Sequence, residues 1–385
     1  MTATLAEGGR AATWTDRAAT IAMFVANGFG FGAWASSIPS LKAKFALSDG
    51  SLSLMLLAVA VGAFVAMPLA GYLASRLGSG MATRMAASFW SVALLLPFLA
   101  PSIPWLVPAC FLLGFTNGGL DVSMNVHASA VEKRWGAAIM SSFHAYWSAA
   151  GLAGAGISAL LLSGGHGPVV TLAAAAALSA LLAAAFWGAL RGGQAASQGP
   201  SLAFPARTAL LLCFAVLLAM LTEGAVSDWS GVYLATVTGA GPSAAVAGYV
   251  VFTGAMLAGR IFGDALVRAF GQQRILQAGA AMMAAGLLLA VAMPTYLPSV
   301  IGFGLAGFGV ANIVPALFSA GSRVGPTPTA GVAMAATSGY AGHLSGPPIM
   351  GVLATLAGLR FGILVLAVSA VGIALLARAS IVGRS

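Results

Sequence analysis

The sequence predicts an all-α membrane protein with twelve transmembrane helices in two six-helix pseudo-symmetric halves. Three observations lead there. The first is composition: of 385 residues, 60% are hydrophobic and only 6% charged, where soluble domains carry roughly 25% charged residues. The second is the number of apolar stretches, twelve of them, each near the roughly 20 residues that cross a bilayer as a helix. The third is an internal repeat. Gly71 and Arg76 recur 192 residues later as Gly263 and Arg268, Gly114-Phe115 recurs at an offset of 193 as Gly307-Phe308, and Tyr146 at 194 as Tyr340.

In chain order the expected spans are 17–38, 50–72, 82–100, 104–128, 137–162, 168–190, 207–234, 243–266, 273–293, 296–318, 329–355 and 358–379. Residues 1–190 form an N-terminal six-helix bundle and 207–385 a C-terminal one. Between them, 191–206 is rich in Gly, Ser, Gln and Pro and reads as a flexible cytoplasmic linker. The 50 glycines suit helices that pack closely in lipid. The first sixteen residues are polar, so the first span is expected to serve as an uncleaved insertion signal.

Charge then sets orientation. With the N-terminus inside, of the 17 Lys and Arg only Lys42, Lys44 and Arg360 fall outside. That bias predicts cytoplasmic termini and, for a bacterial chain, the inner membrane. The same scatter argues against nucleic acid as the partner of a chain with net charge +9, because the basic residues form no patch. Arg260 is counted here among the cytoplasmic helix-end charges. The two cysteines, Cys110 and Cys213, both lie in apolar segments and imply neither a disulfide framework nor a metal site.

Polar residues inside spans carry the functional signal. The fourth span holds Asn117, Asp121 and Asn125, each four residues from the next and so on one stripe of one face. A carboxylate and two amides avoid lipid and mark a solute or ion path, or else bond neighbouring helices. In the seventh span Glu223, Ser227 and Ser230 share a face, while Asp228 and Trp229 lie nearer its outer end. His144 of the fifth span and Asp121 each stand about 12 Å from the cytoplasmic surface, which predicts either a proton-sensitive pair or a neutral His satisfied by a backbone carbonyl. Asp121, Glu223 and His144 are therefore the proton-coupling candidates.

For solute binding the candidates are Asn117, Asn125, Asn312, Asp228 and His343, the last beside the helix-breaking Pro347-Pro348. Trp34, Trp147, Trp229 and Tyr340 offer rings that stack on a sugar or cyclitol, although single aromatics more often pack or anchor at the interface. His127 and His166 receive no role. No P-loop and no G-x-S-x-G elbow is found, so ATP drive, enzymatic activity and cofactors are not expected.

Two loops carry a family signature. Gly263-Asp264-Ala-Leu-Val-Arg268-Ala-Phe-Gly271-Gln-Gln-Arg274 resembles the G-x-x-x-D-R-x-G-R loop of the major facilitator superfamily, with altered spacing. The first-half loop reads Gly71-Tyr-Leu-Ala-Ser75-Arg76-Leu-Gly78, with Ser75 where the acid is expected. The resemblance implies a cytoplasmic gate at Arg76, Asp264 and Arg268. Longer strings, among them NGFGFGAWASSIPSLK, GFTNGGLDVSMNVHASAVE, SSFHAYWSAAGLAGA, EGAVSDWSGVYL and GFGVANIVPALFSAGSR, resemble its MosC/YbjJ-like branch, related to the fucose-permease group.

This resemblance implies a monomeric carrier of small polar solutes such as sugars, polyols or amino-cyclitols. It implies alternating access about a midplane site, either proton-linked or facilitative, with proton coupling expected. A proton-driven exporter of drugs or metabolites is the alternative. Against it, Gly151-Leu-Ala-Gly-Ala-Gly-Ile-Ser does not match the antiporter string G-x-x-x-G-P-x-x-G-G. A non-transporting receptor would expect a soluble appendage or long loop, and the chain has neither.

Overall fold

The computed structural model describes residues 11–136, 139–191, 207–324 and 328–381, and no strand occurs among them. The first two helices are α1 (Trp14–Lys44) and α2 (Asp49–Leu77), with Pro39 and Pro68 inside them. α3 (Ser79–Ala93) and the short α4 (Leu96–Leu99) complete the third span, followed by α5 (Ile103–Trp135), α6 (Met140–Ser163) and α7 (Pro168–Ala185). Beyond Arg191 the expected linker lies outside the described residues. The chain resumes with α8 (Arg207–Val237), the single turn α9 (Pro242–Ala245), α10 (Ala247–Phe270) and α11 (Gln272–Ala292). It ends with α12 (Tyr296–Val310), α13 (Ile313–Val324), α14 (Pro328–Ala357) and α15 (Leu359–Ile381).

Among the described residues, 11 helical stretches are long and apolar enough to cross a membrane. The 30-residue α14 occupies the remaining expected span. The twelve-helix expectation and the helix order therefore hold.

Contacts divide the chain into two compact units. One holds residues 1–37 and 58–199, the other 38–57 and 200–385. In the second unit, the C-terminal end of α1 and the N-terminal end of α2 (38–57) are fastened by an ion pair between Lys42 and Asp49 and by the Ser53 hydroxyl donating to the Pro347 carbonyl.

The repeat seen in sequence recurs in backbone geometry. Gly78 alone joins α2 to α3, with φ 85° and ψ 147°, and Gly271 alone joins α10 to α11, with φ 82° and ψ 149°. That region of φ/ψ space is essentially closed to residues with a Cβ, so each one-residue link demands glycine. The glycine of the loop motif thus has a geometric cause independent of gating.

Helix packing repeats as well. A Cβ on Gly114 of α5 would lie 1.8 Å from the Val59 carbonyl oxygen of α2. A Cβ on Gly307 of α12 would lie 2.0 Å from the Phe252 carbonyl oxygen of α10. Both members of the second pair are displaced by 193 from the first. Small residues let helix backbones touch where lipid supplies no hydrophobic drive for association. α1 and α6 meet in the same way, through Gly28 against the Trp147 carbonyl and Gly32 against that of Gly151.

Between α12 and α13 the helix breaks at Ala311 and Asn312, just before Pro315, whose ring cannot continue the hydrogen-bond ladder. The Asn312 side-chain amide donates to the Gly259 carbonyl of α10 at 2.9 Å. Its carbonyl end packs against Gly263, where a Cβ would come within 2.1 Å of Oδ1. Asn312 thus joins the broken helix to α10.

Candidate functional site

In the first unit, polar side chains from three helices meet. Asn27 of α1 donates from its amide nitrogen to Asn117 Oδ1 of α5 at 2.9 Å. Its own oxygen accepts from the Trp147 indole N–H of α6 at 2.7 Å. Asn27 is buried, 2% exposed, and Asn117 and Trp147 are partly exposed. Gly28 makes the junction possible, since a Cβ there would sit 2.2 Å from the Trp147 carbonyl oxygen. Phe31, one turn beyond Asn27, tilts against the Trp147 ring with centroids 5.7 Å apart.

One turn along α5 from Asn117 stands Asp121, and another turn along, Asn125. The Asn125 amide donates to the Asp121 backbone carbonyl at 2.8 Å and to its carboxylate at 3.2 Å. The predicted stripe is therefore partly knitted together within its own helix. The Asp121 carboxylate accepts from Asn125, and the exposed His144 ring lies edge-on to Phe24 at 5.3 Å.

In the second unit the central feature is an ion pair midway along α8. Glu223 lies 16 residues into that helix, about 24 Å along its axis. Its Oε1 meets Nη2 of Arg260 of α10 at 3.5 Å. The other carboxylate oxygen, Oε2, is buried with no protein donor among the described residues. Arg260 keeps 34% of its side chain exposed against 18% for Glu223, so the guanidinium is the more accessible member. His343 of α14 packs against Gly224 so closely that a Cβ there would fall 2.5 Å from Nδ1, and the ring lies within Coulombic reach of Glu223. The Gly224 position thus admits the imidazole beside the ion pair.

The remaining predicted residues separate by exposure. Trp34 and Trp229 are 3% and 0% exposed, so neither presents a ring face to a solute in this conformation. Tyr340 is about half exposed. Asp228 is partly buried and lies within Coulombic reach of Tyr249 on α10. Arg76 is exposed, with its guanidinium 5.4 Å from the centroid of the Tyr72 ring on its own helix. Arg268 is exposed in the last turn of α10, and the Asp264 side chain lies outside the described residues.

Two residues of this arrangement went unassigned from sequence. Asn27 begins one of the family-like strings but has no polar neighbour at helical spacing to single it out. Arg260 was counted as a helix-end charge, yet it sits ten residues inside the C-terminal end of α10, about 15 Å from it. The carboxylate at Glu223 was the available clue, because a buried acid in a membrane helix calls for a cation.

Similarity to known proteins agrees with this architecture. A sequence profile described as Major Facilitator Superfamily matches residues 20–346. An uncharacterised MFS-type transporter of Yersinia pestis is 38% identical over 341 residues, covering 88% of each chain. The membrane protein MosC of Rhizobium meliloti is 35% identical over 361 residues, 91% of this chain and 86% of that one. Among solved structures, a point mutant of the nucleoside transporter NupG superposes with a TM-score of 0.77 at 15% identity, covering 95% of this chain and all of that one. A D-xylose-proton symporter gives 0.70 at 16% identity, with coverage of 94% and 96%. At such identities these two structures speak to the fold alone.

Proposed function

As a member of the Major Facilitator Superfamily this chain is a multi-pass membrane transporter of small solutes and not an enzyme, and we propose that it carries a sugar, polyol or amino-cyclitol by alternating access, in symport with protons. The observation that carries this reading is that the first unit holds a hydrogen-bonding cluster and the second an ion pair, each well inside spanning helices. Asn27, Asn117 and Trp147 supply amide groups beside an aromatic ring, which suits a hydroxylated ring compound. Glu223 and Arg260 supply a titratable group whose protonation would release a cation. Ionisable groups inside membrane helices are costly and are kept for such paths.

In this reading Glu223 is the principal proton carrier and Asp121 a second, with His144 nearby in the first unit. Asn117, Asn125, Trp147, Tyr340 and His343 contact the solute. Asp228 lines the path towards the outer end of α8. Arg76, Asp264 and Arg268 act at the cytoplasmic gate, and the protein works as a monomer in the bacterial inner membrane with both termini cytoplasmic.

A thermal-shift screen of the purified protein tests the cargo. The panel holds sugars, inositols, amino-inositols, amino acids and lipophilic cations, run on wild type and on Asp121→Asn. A ligand at 100 times its dissociation constant stabilises by about 2.7 kcal/mol. The expected result is stabilisation by a polyol or amino-cyclitol, altered in Asp121→Asn. Stabilisation by lipophilic cations alone would overturn the cargo assignment in favour of export.

A further inference from the structure

The three-residue chain in the first unit has a direction, and one group imposes it. An indole nitrogen can only donate. The Asn27 atom that receives the Trp147 N–H at 2.7 Å is therefore its carbonyl oxygen. That places the Asn27 NH2 toward Asn117, so the Asn117 atom 2.9 Å away is its oxygen. Among the described residues the Asn117 NH2 group is left as the free end of that amide. From a single indole N–H, the orientation of two amides follows.

Resting on the carrier reading above, we propose that Asn27 is a positioning residue that orients the Trp147 ring and makes Asn117 a hydrogen-bond donor toward the solute. The site then selects a solute whose ring lies on the indole face and presents an acceptor oxygen (hydroxyl, ether or carbonyl) to Asn117. Burial supports the division of labour. Asn27 is 2% exposed and has both ends of its amide engaged, while Asn117 and Trp147 keep exposed surface. Close approach of the α1 and α6 backbones at Gly28 brings the indole within reach of Asn27, and Phe31 supports the ring from α1. Neither amide can turn over without opposing two like groups across a short contact.

Two readouts on the full-length protein test this. The first needs no ligand: the indole proton of Trp147 in 15N-Trp-labelled protein, assigned by its disappearance in Trp147→Phe. Its hydrogen-bonded downfield shift is expected in wild type and lost in Asn27→Leu. The second uses myo-inositol, an O-methyl-inositol and an amino-deoxy-inositol as matched thermal-shift probes. An ether oxygen only accepts and an ammonium only donates, so the ratio of their affinities reports which end of Asn117 faces the solute. Wild type is expected to tolerate the ether better at this position. In Trp147→Phe, which keeps an aromatic face and both amides, the ether-to-amine ratio is expected to fall by about tenfold, the scale of one oriented hydrogen bond. A purely structural role for the chain would weaken all three probes alike and leave the ratio unchanged. An unchanged ratio in Trp147→Phe, or an indole shift that survives Asn27→Leu, overturns the proposal. If none of the three probes stabilises wild type, the cyclitol reading fails, and the indole shift alone decides the role of Asn27.

Discussion

Arg260→Ala is expected to abolish transport and to destabilise the protein by about 1–3 kcal/mol, between the worth of an exposed ion pair and the cost of breaking a fully buried one. The intermediate scale applies because Arg260 keeps a third of its side chain exposed and meets Glu223 at 3.5 Å. The cost arises from what remains. Among the described residues Glu223 already has one oxygen buried without a donor, and removing Arg260 would leave its charge uncompensated inside an apolar helix. Removing the charge on both sides should therefore cost less than removing one. The double variant Arg260→Ala/Glu223→Gln is expected to melt above Arg260→Ala alone, while remaining inactive. Thermal unfolding and uptake assays on the three proteins check this. A double variant less stable than the single would show that Arg260 acts through packing and not through charge.

Gly114→Val should be the most damaging substitution in the first unit. Its Cβ would stand 1.8 Å from the Val59 carbonyl oxygen, and the obstacle is backbone, which cannot rotate aside. Ordinary overpacking costs about 1–3 kcal/mol. Here α2 and α5 would have to separate, so the loss should exceed that range and folded protein should fail to accumulate. Displacing α5 would also carry Asn117 away from Asn27, one turn further along. Gly119→Val provides the control on the same helix, since nothing among the described residues lies within 4 Å of a Cβ there. Size-exclusion yield and melting temperature should separate the two variants. Equal tolerance of both would mean that the α2–α5 contact is looser than described.

The fold was legible because lipid imposes simple rules. Apolar length marked out the twelve helices, and the residues repeating at offsets of 192 to 194 marked out the halves. The structure adds the reason glycines repeat: Gly78 and Gly271 turn the chain in one residue, and Gly114 and Gly307 admit a neighbouring backbone. The polar stripe Asn117-Asp121-Asn125 was readable because its helical spacing lies within one segment. Asn27 depends on what two other helices bring to it, and helix-to-helix register is not written in any one segment. Arg260 was obscured by a general rule that reads basic residues as markers of the cytoplasmic side. For the aromatics, composition does not separate a packed ring from a presented one. Trp229 is fully buried while Trp147, equally polar at its tip, is tied to Asn27 and partly open.

Proton movement in liposomes tests the central claim most directly. Purified wild type and Glu223→Gln are reconstituted, and internal pH is followed while the solute identified by thermal shift is driven inward down its gradient. Wild type should acidify the lumen as solute enters. Glu223→Gln, which keeps the side chain's size but cannot take up a proton, should still exchange labelled solute with most of its proton movement lost, Asp121 being the lesser carrier. Solute-dependent acidification that persists undiminished in Glu223→Gln would contradict the assignment of the Glu223–Arg260 pair as the coupling element.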